Sequence, residues 1–211
     1  MVRKLQLSVT LALCLICWPT TRASAADKAE SAGGKRGPDV VFVPTPDDIV
    51  TKMLQLAGVT KDDVLYDPGC GDGRIVVTAA KKFGCRGVGI DISSQRVKEA
   101  VANARRNNVD KLVKIVEQDI YEVDLSEATV VALYLLPSMN VKLIPQLQKL
   151  KPGSRIVAHD YGFEGRVKPD QSLTVTSKED AVEHHIMLWK TPFKVGPAEK
   201  TDQAETSSEE E

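Results

Sequence analysis

The stretch Val64-Leu65-Tyr66-Asp67-Pro68-Gly69-Cys70-Gly71-Asp72-Gly73-Arg74 decides the fold. Its start reads as a short apolar strand that ends on Asp67. Three glycines at alternate positions follow, Gly69, Gly71 and Gly73, and a helical pattern opens at Arg74. Glycines let a backbone take positive φ and approach a ligand closely. A strand, a glycine turn and a helix in this order build a doubly wound α/β unit. Ligands in such units sit beyond the carboxyl ends of the strands, where the strand order reverses.

The charges around that turn narrow the ligand. Asp67 and Asp72 place negative charge where a dinucleotide pyrophosphate would be repelled, whereas a ligand with a cationic sulfonium and an amino group would be attracted. The dinucleotide fingerprint Gly-x-Gly-x-x-Gly also fails, because Arg74 stands where the third glycine is needed. A second acid, Asp91, closes the next strand, Gly87-Val88-Gly89-Ile90-Asp91. It suits a carboxylate that grips both ribose hydroxyls, a need shared by adenosylmethionine and NAD. Together the acids and glycines point to S-adenosyl-L-methionine, held by Asp67, Gly69, Cys70, Gly71, Asp72, Gly73, Asp91 and its neighbour Ile92. The bland alternative is a glycine-rich turn that binds nothing.

Outward from this point the chain alternates strand and helix patterns. Thr45 reads as an N-cap, Pro46 as the first helical position, and the helix runs to about Ala57. Helices are expected over Arg74 to Phe83, Ser94 to Asn107 and Met139 to Leu150. Strands are expected at Asp63 to Asp67, Val113 to Glu117, Thr129 to Leu135 and Arg155 to His159. Ser172 to Thr176 and Glu183 to Lys190 read as a closing pair. The pattern predicts an α/β fold, a doubly wound three-layer sandwich with a mostly parallel sheet and a C-terminal antiparallel strand pair, that is, a Rossmann-like fold.

The ends of the 211-residue chain read differently. Arg3 and Lys4 precede an apolar run from Leu5 to Trp18, and Ala23-Ser24-Ala25 fits a small-x-small cleavage rule. Residues 1–25 are therefore expected to be a signal peptide that exports the protein to the periplasm or beyond. The run is too short to span a bilayer, so no stable membrane span is expected after cleavage. Residues 26–39 read as a flexible linker, 40–194 as the folded domain, and 195–211 as a disordered acidic tail closing on Ser207-Ser208-Glu209-Glu210-Glu211. The net charge of -1 and the lack of a basic run argue against nucleic acid as a partner. Cys70 and Cys85 are expected at opposite edges of the sheet, a helix of about 15 Å apart, and so free. No Cys/His cluster has zinc spacing, and His184 and His185, adjacent in a strand, point to opposite faces, so no metal site is expected.

The acid-and-glycine pattern resembles the first two nucleotide-binding motifs of the seven-stranded, class I adenosylmethionine-dependent methyltransferases. In that resemblance Asp119, after the third strand, matches the residue that contacts the adenine amino group, with Ile120 beside it. A narrower resemblance rests on Phe42-Val43-Pro44-Thr45-Pro46, Gly71-Asp72-Gly73-Arg74-Ile75-Val76, Leu133-Tyr134-Leu135-Leu136-Pro137 and Arg155-Ile156-Val157-Ala158-His159. These look like the small bacterial relatives of the mitochondrial protein-lysine methyltransferases that modify the adenine nucleotide carrier and the ATP synthase c-subunit. The resemblance implies methyl transfer to a protein lysine. Two departures stand out: Pro68 replaces an aliphatic residue and removes a backbone donor beside the ligand, and Val167 stands where relatives tend to carry Trp.

Methyl transfer from a sulfonium is an in-line displacement, so the enzyme chiefly aligns donor and acceptor. A lysine acceptor has to be neutral to attack. The loop after the fourth strand is expected beside the transferred methyl. There Tyr134 would orient the acceptor or favour a cation through its ring, and Asn140 would accept a hydrogen bond from the amine. Their plain readings are a core tyrosine and a helix cap. Thr45, Pro46, Pro137 and His159 are expected to border the acceptor. The expected partner is a protein presenting lysine; a small-molecule acceptor is the alternative, and a non-catalytic exported binding module is the rival from another class.

Overall fold

The computed structural model describes residues 41–197. The expected signal peptide, its linker and most of the acidic tail lie outside the described residues. No described helix is long and apolar enough to cross a membrane.

The elements, in chain order, are α1 (Asp47–Leu56), β1 (Val64–Pro68), α2 (Arg74–Phe83), β2 (Arg86–Asp91), α3 (Ser94–Arg106), β3 (Val113–Glu117), β4 (Val130–Leu133), α4 (Pro137–Leu147), β5 (Arg155–His159), β6 (Gln171–Thr176) and β7 (Glu183–Lys190). They form a seven-stranded sheet in the order β3-β2-β1-β4-β5-β7-β6. β1 to β5 run parallel, and β7 lies antiparallel between β5 and β6. The α/β sandwich with its antiparallel closing pair is the fold expected from the sequence.

Alternate residues of β4 show why its run is apolar throughout. Val130 and Ala132 pack into one core layer with Ile49, Met53 and Val76 from α1 and α2. Val131 and Leu133 pack into the other with Leu143 and Leu147 of α4, and with Phe163 and Trp189. A central strand covered on both faces has no polar side. Each fully buried Leu, Ile or Val here contributes about 1.5–3 kcal/mol. β6, by contrast, is the edge strand, and its alternating polar sequence is largely exposed.

The sheet splits where the site lies. β1 pairs with β4 only at Leu65↔Val130 and Tyr66↔Val131. Beyond Tyr66 the strand stays with β2 through Pro68↔Ile90, while β4 stays with β5 through Leu133↔Ala158. The two halves therefore part at their carboxyl ends, and the strand order reverses at that point.

Several boundaries differ from the sequence reading for identifiable reasons. Thr45 does not cap α1, since the helix begins at Asp47 with no side-chain cap. Its hydroxyl lies 3.1 Å from His159 Nδ1 instead. α4 begins at Pro137 rather than Met139, because proline is pre-set for the first helical turn. β4 is shorter than expected, as Tyr134 and Leu135 leave the ladder and turn to the crevice. Cys70 and Cys85 are free and buried, as expected.

Candidate active site

Beyond the ends of β1, β2, β3 and β4 lies a cavity of about 520 Å³, a size that suits a nucleoside-type cofactor. Its floor is the glycine turn. Gly69 and Cys70 donate their N–H groups to Ile90 O at 2.7 and 2.9 Å, locking the turn onto β2. Gly71 has φ +54°, and a Cβ there would fall 2.0 Å from the Phe42 ring. Phe42 in turn lies under Arg96, whose guanidinium carbon is 4.3 Å from the ring centroid. The segment before α1 is thus strapped over the turn.

The acids take distinct roles. Asp91 accepts from Gly71 N–H at 2.9 Å and from Ser93 N–H at 2.8 Å, so its carboxylate is fixed at the cavity wall. Asp67 also faces the cavity. It is buried, and its Oδ2 has no hydrogen-bond partner among the described residues. Burial, reinforced by Asp91 and then Asp72, pushes the Asp67 carboxyl up to about 8. A buried carboxylate with an orphan oxygen calls for a cationic partner. Such a group suits a cofactor that carries an amino group and a sulfonium. Asp119, Ile92 and Ile120 line the same cavity, along with Gly69 and Cys70.

Other expected site residues are placed differently. Asp72 does not face the cavity; its carboxylate is held by the Arg74 guanidinium, with Nη2 to Oδ2 at 2.7 Å. Arg74 also donates to Thr45 O at 2.8 Å. The residue that broke the dinucleotide pattern therefore ties α2 to the segment before α1. Gly71 and Gly73 shape the turn from behind, and Gly73 sits against Ala100 of α3. Thr45 and Tyr134 line the cavity, whereas Pro46, Pro137, Asn140 and His159 do not. Asn140 is fully buried. Its side-chain nitrogen donates to Tyr161 O at 3.0 Å and Gly162 O at 3.2 Å, bracing the β4 and β5 loops together rather than capping a helix. Val167 is buried in the core and accepts from Trp189 Nε1 at 3.0 Å.

Tyr134 is the point where the cavity meets the surface. Its ring stacks on that of Tyr161 with centroids 6.1 Å apart and planes 10° apart, and Tyr161 is exposed. The His159 imidazole also packs on the Tyr134 ring, with ring centroids 4.1 Å apart. Sequence reasoning missed Phe42, Ser93 and Arg96 as cavity residues. It also missed the pairing of His159 with His184, which joins residues on two strands far apart in the chain.

A family model for the ANTKMT methyltransferase domain matches residues 67–171. A protein-lysine N-methyltransferase of Saccharolobus islandicus is 48% identical over 130 residues, covering 61% of this chain and 81% of that protein. This chain belongs to the same family of S-adenosylmethionine-dependent methyltransferases. A human (Homo sapiens) lysine N-methyltransferase that acts on the ATP synthase c-subunit is 29% identical over 58% of this chain; the match spans 52% of the human protein. Among solved structures, an RNA methyltransferase from Salinibacter ruber bound to S-adenosyl-L-homocysteine is 46% identical. Its TM-score is 0.65, over 71% of this chain and 94% of that one. For this methyltransferase the cofactor supplies an electrophilic methyl group, and the protein's task is to hold the donor and bring a neutral nucleophile into line.

Proposed function

We propose that this methyltransferase transfers methyl groups to lysine side chains of proteins. The observation that carries the reading is the stacked pair Tyr134 and Tyr161, which runs from the exposed surface to the cavity wall. Aromatic faces of this kind favour an aliphatic stem ending in an amine or ammonium. The Saccharolobus islandicus relative, named for protein lysine, supports the same acceptor. In this reading Asp67 holds the amino end of the cofactor, Asp91 the ribose, and Asp119 with Ile92 and Ile120 the adenine. Asn140 acts as a brace for the acceptor loop.

The test is transfer of labelled methyl from S-adenosylmethionine to a lysate of the source organism. Label on protein lysines, lost in Tyr134→Ala, is the expected result. Label confined to small metabolites would move the reading to a small-molecule acceptor. Label in RNA, the substrate named for the Salinibacter ruber relative, would overturn it.

We further infer, from Arg3, Lys4, the apolar run to Trp18 and Ala23-Ser24-Ala25, that the chain is exported and cleaved before Ala26. A full-length protein that retains Met1 in the cytosolic fraction would sink this inference.

A further inference from the structure

The lysine reading leaves one chemical requirement unmet by the cavity wall. An alkylammonium must lose a proton before its nitrogen can attack, and the product of each transfer carries a proton again. The acids nearest the cofactor, Asp67 and Asp91, are taken up by burial and by backbone N–H groups.

A chain of polar side chains leads away from the cavity in the other direction. It starts at Thr45, on the cavity wall, whose Oγ1 lies 3.1 Å from His159 Nδ1. His159 is fully buried at the end of β5, and its Nε2 lies 2.8 Å from Nδ1 of His184 on β7. His184 Nε2 lies 3.2 Å from Oδ2 of Asp180, an exposed residue in the turn before β7. Asp160 Oδ2 sits beside the junction, 3.2 Å from His159 Nε2 and 3.3 Å from His184 Nδ1. The ring of Tyr134, itself a cavity residue, packs on His159.

Resting on the lysine reading, we infer that Thr45, His159, His184 and Asp180 form a proton-exit relay that neutralises the acceptor ammonium. In the resting state each link has one proton. The Thr45 hydroxyl donates to His159 Nδ1, His159 Nε2–H donates to His184 Nδ1, and His184 Nε2–H donates to Asp180. When an ammonium N–H bond breaks, its proton passes to Thr45 Oγ1 as the hydroxyl's own proton moves to His159 Nδ1. The His159 Nε2 proton shifts to His184 Nδ1, and the His184 Nε2 proton shifts to the Asp180 carboxylate and on to water. The acceptor keeps its electron pair as a neutral amine, and the net change is one proton delivered to solvent.

The electrostatics keep the buried link neutral and the exit end anionic. Burial holds the His159 imidazole well below its usual range, against the pull of Asp160, so a second proton does not rest there. Burial also works against charge on His184, but its hydrogen bonds to Asp160 and Asp180 outweigh this and raise it. Backbone and side-chain hydrogen bonds, from Val182 N–H first, keep Asp180 an anion, so any proton it takes from His184 passes to water. The 2.8 Å approach of the two ring nitrogens is a hydrogen-bond contact holding one proton. Two imidazoles on one tetrahedral ion at bonds of about 2.0–2.1 Å would stand wider apart.

Two measurements test the relay. The first needs no acceptor: long-range ¹H–¹⁵N spectra of the labelled protein report the tautomer of each of its three histidines, with His185→Gln assigning the third. Expected are an unprotonated Nδ1 and protonated Nε2 on His159. A His159 proton on Nδ1, or a stoichiometric transition-metal ion that copurifies with the protein, overturns the relay. The second uses poly-L-lysine as the probe and measures methyl transfer from pH 6 to 10. Thr45→Val should lower kcat about 100-fold near pH 7, the low end of a general-base effect. It should converge with wild type near pH 10 and leave KM for the lysine probe unchanged, and Thr45→Ser should restore the rate. An equal loss at every pH means a structural role and refutes the relay. No transfer by wild type to any lysine is a failure of the lysine reading, and the tautomer spectra still decide the relay.

Discussion

Asp67 carries a buried carboxylate oxygen without a partner, and its pKa is raised to about 8 from the ordinary value of 3.8. The folded protein therefore holds this proton more tightly than the unfolded chain does. The group's contribution to stability is full below about pH 4 and is lost as pH rises toward about 8. Asp67→Asn should raise the melting temperature of the cofactor-free protein at pH 8 and leave it nearly unchanged at pH 4. Because a cationic cofactor favours the carboxylate, S-adenosylmethionine affinity should rise by up to about tenfold per pH unit toward pH 8, then level off. Calorimetry from pH 6 to 9 checks this, and the slope should vanish in Asp67→Asn. Asp91 is a different case. Its carboxylate is already satisfied by Gly71 and Ser93, so Asp91→Ala removes two N–H acceptors as well as the ribose contact. The expected loss in cofactor binding is about 1.5–3 kcal/mol, with a fall in melting temperature that ligand only partly recovers.

At the scale of elements, the glycine turn is tensioned from both sides. Gly73 has φ +75°, and a Cβ added there would lie 2.9 Å from Ala100 Cβ and 3.2 Å from its backbone. Gly73→Ala would push α2 and α3 apart and should cost about 1–3 kcal/mol of stability, read as a drop in the urea midpoint. On the opposite side, Arg74 links Asp72 to Thr45 O and so holds the segment before α1 down on the turn. Arg74→Met keeps the packing stem and removes the fork. It should weaken cofactor binding with little change in melting temperature, because the fork secures the cavity's cover rather than the core. Neither function of this arginine was legible in the sequence, where it registered only as the residue that spoils a glycine pattern.

At the scale of the whole molecule, a polar strut ties neighbouring strands together at the amino end of the sheet. Asp63 accepts from the Arg155 guanidinium and from Thr129 Oγ1, the latter at 2.6 Å, while Thr60 N–H donates to its other oxygen at 2.8 Å. The strut thereby connects the starts of β1, β4 and β5. Burial works against the Asp63 carboxylate, but the bonds from Thr129, Thr60 and Arg155 outweigh it and lower its pKa. Its contribution is present above the unfolded value and is lost as pH falls through the lower folded one. Asp63→Ala leaves Arg155 without its partner and should cost about 3 kcal/mol at pH 7. The gap to wild type should narrow below pH 4 in thermal melts. Such a loss far from the cavity should leave the affinity of the surviving folded protein for S-adenosylmethionine unchanged.

Much of this molecule was written in local pattern. Periodicity placed every strand and helix to within a few residues, since each signal, apolar alternation or a proline pre-set for a helix, acts over one or two turns of chain. Asp67, Gly69, Asp91, Ile92, Asp119 and Ile120 all reach the cavity, because in a doubly wound sheet the carboxyl end of a strand is identifiable from the strand alone. What the tertiary structure alone decided were the roles that depend on partners distant in sequence. Asp72 is held by Arg74, Asn140 braces two loops, and Thr45 meets His159 in place of capping a helix. The meeting of His159 with His184 follows from the antiparallel register of β5 and β7. That register is fixed by burial of Ile186, Leu188 and Trp189 across both core layers, a condition that no local stretch of residues expresses.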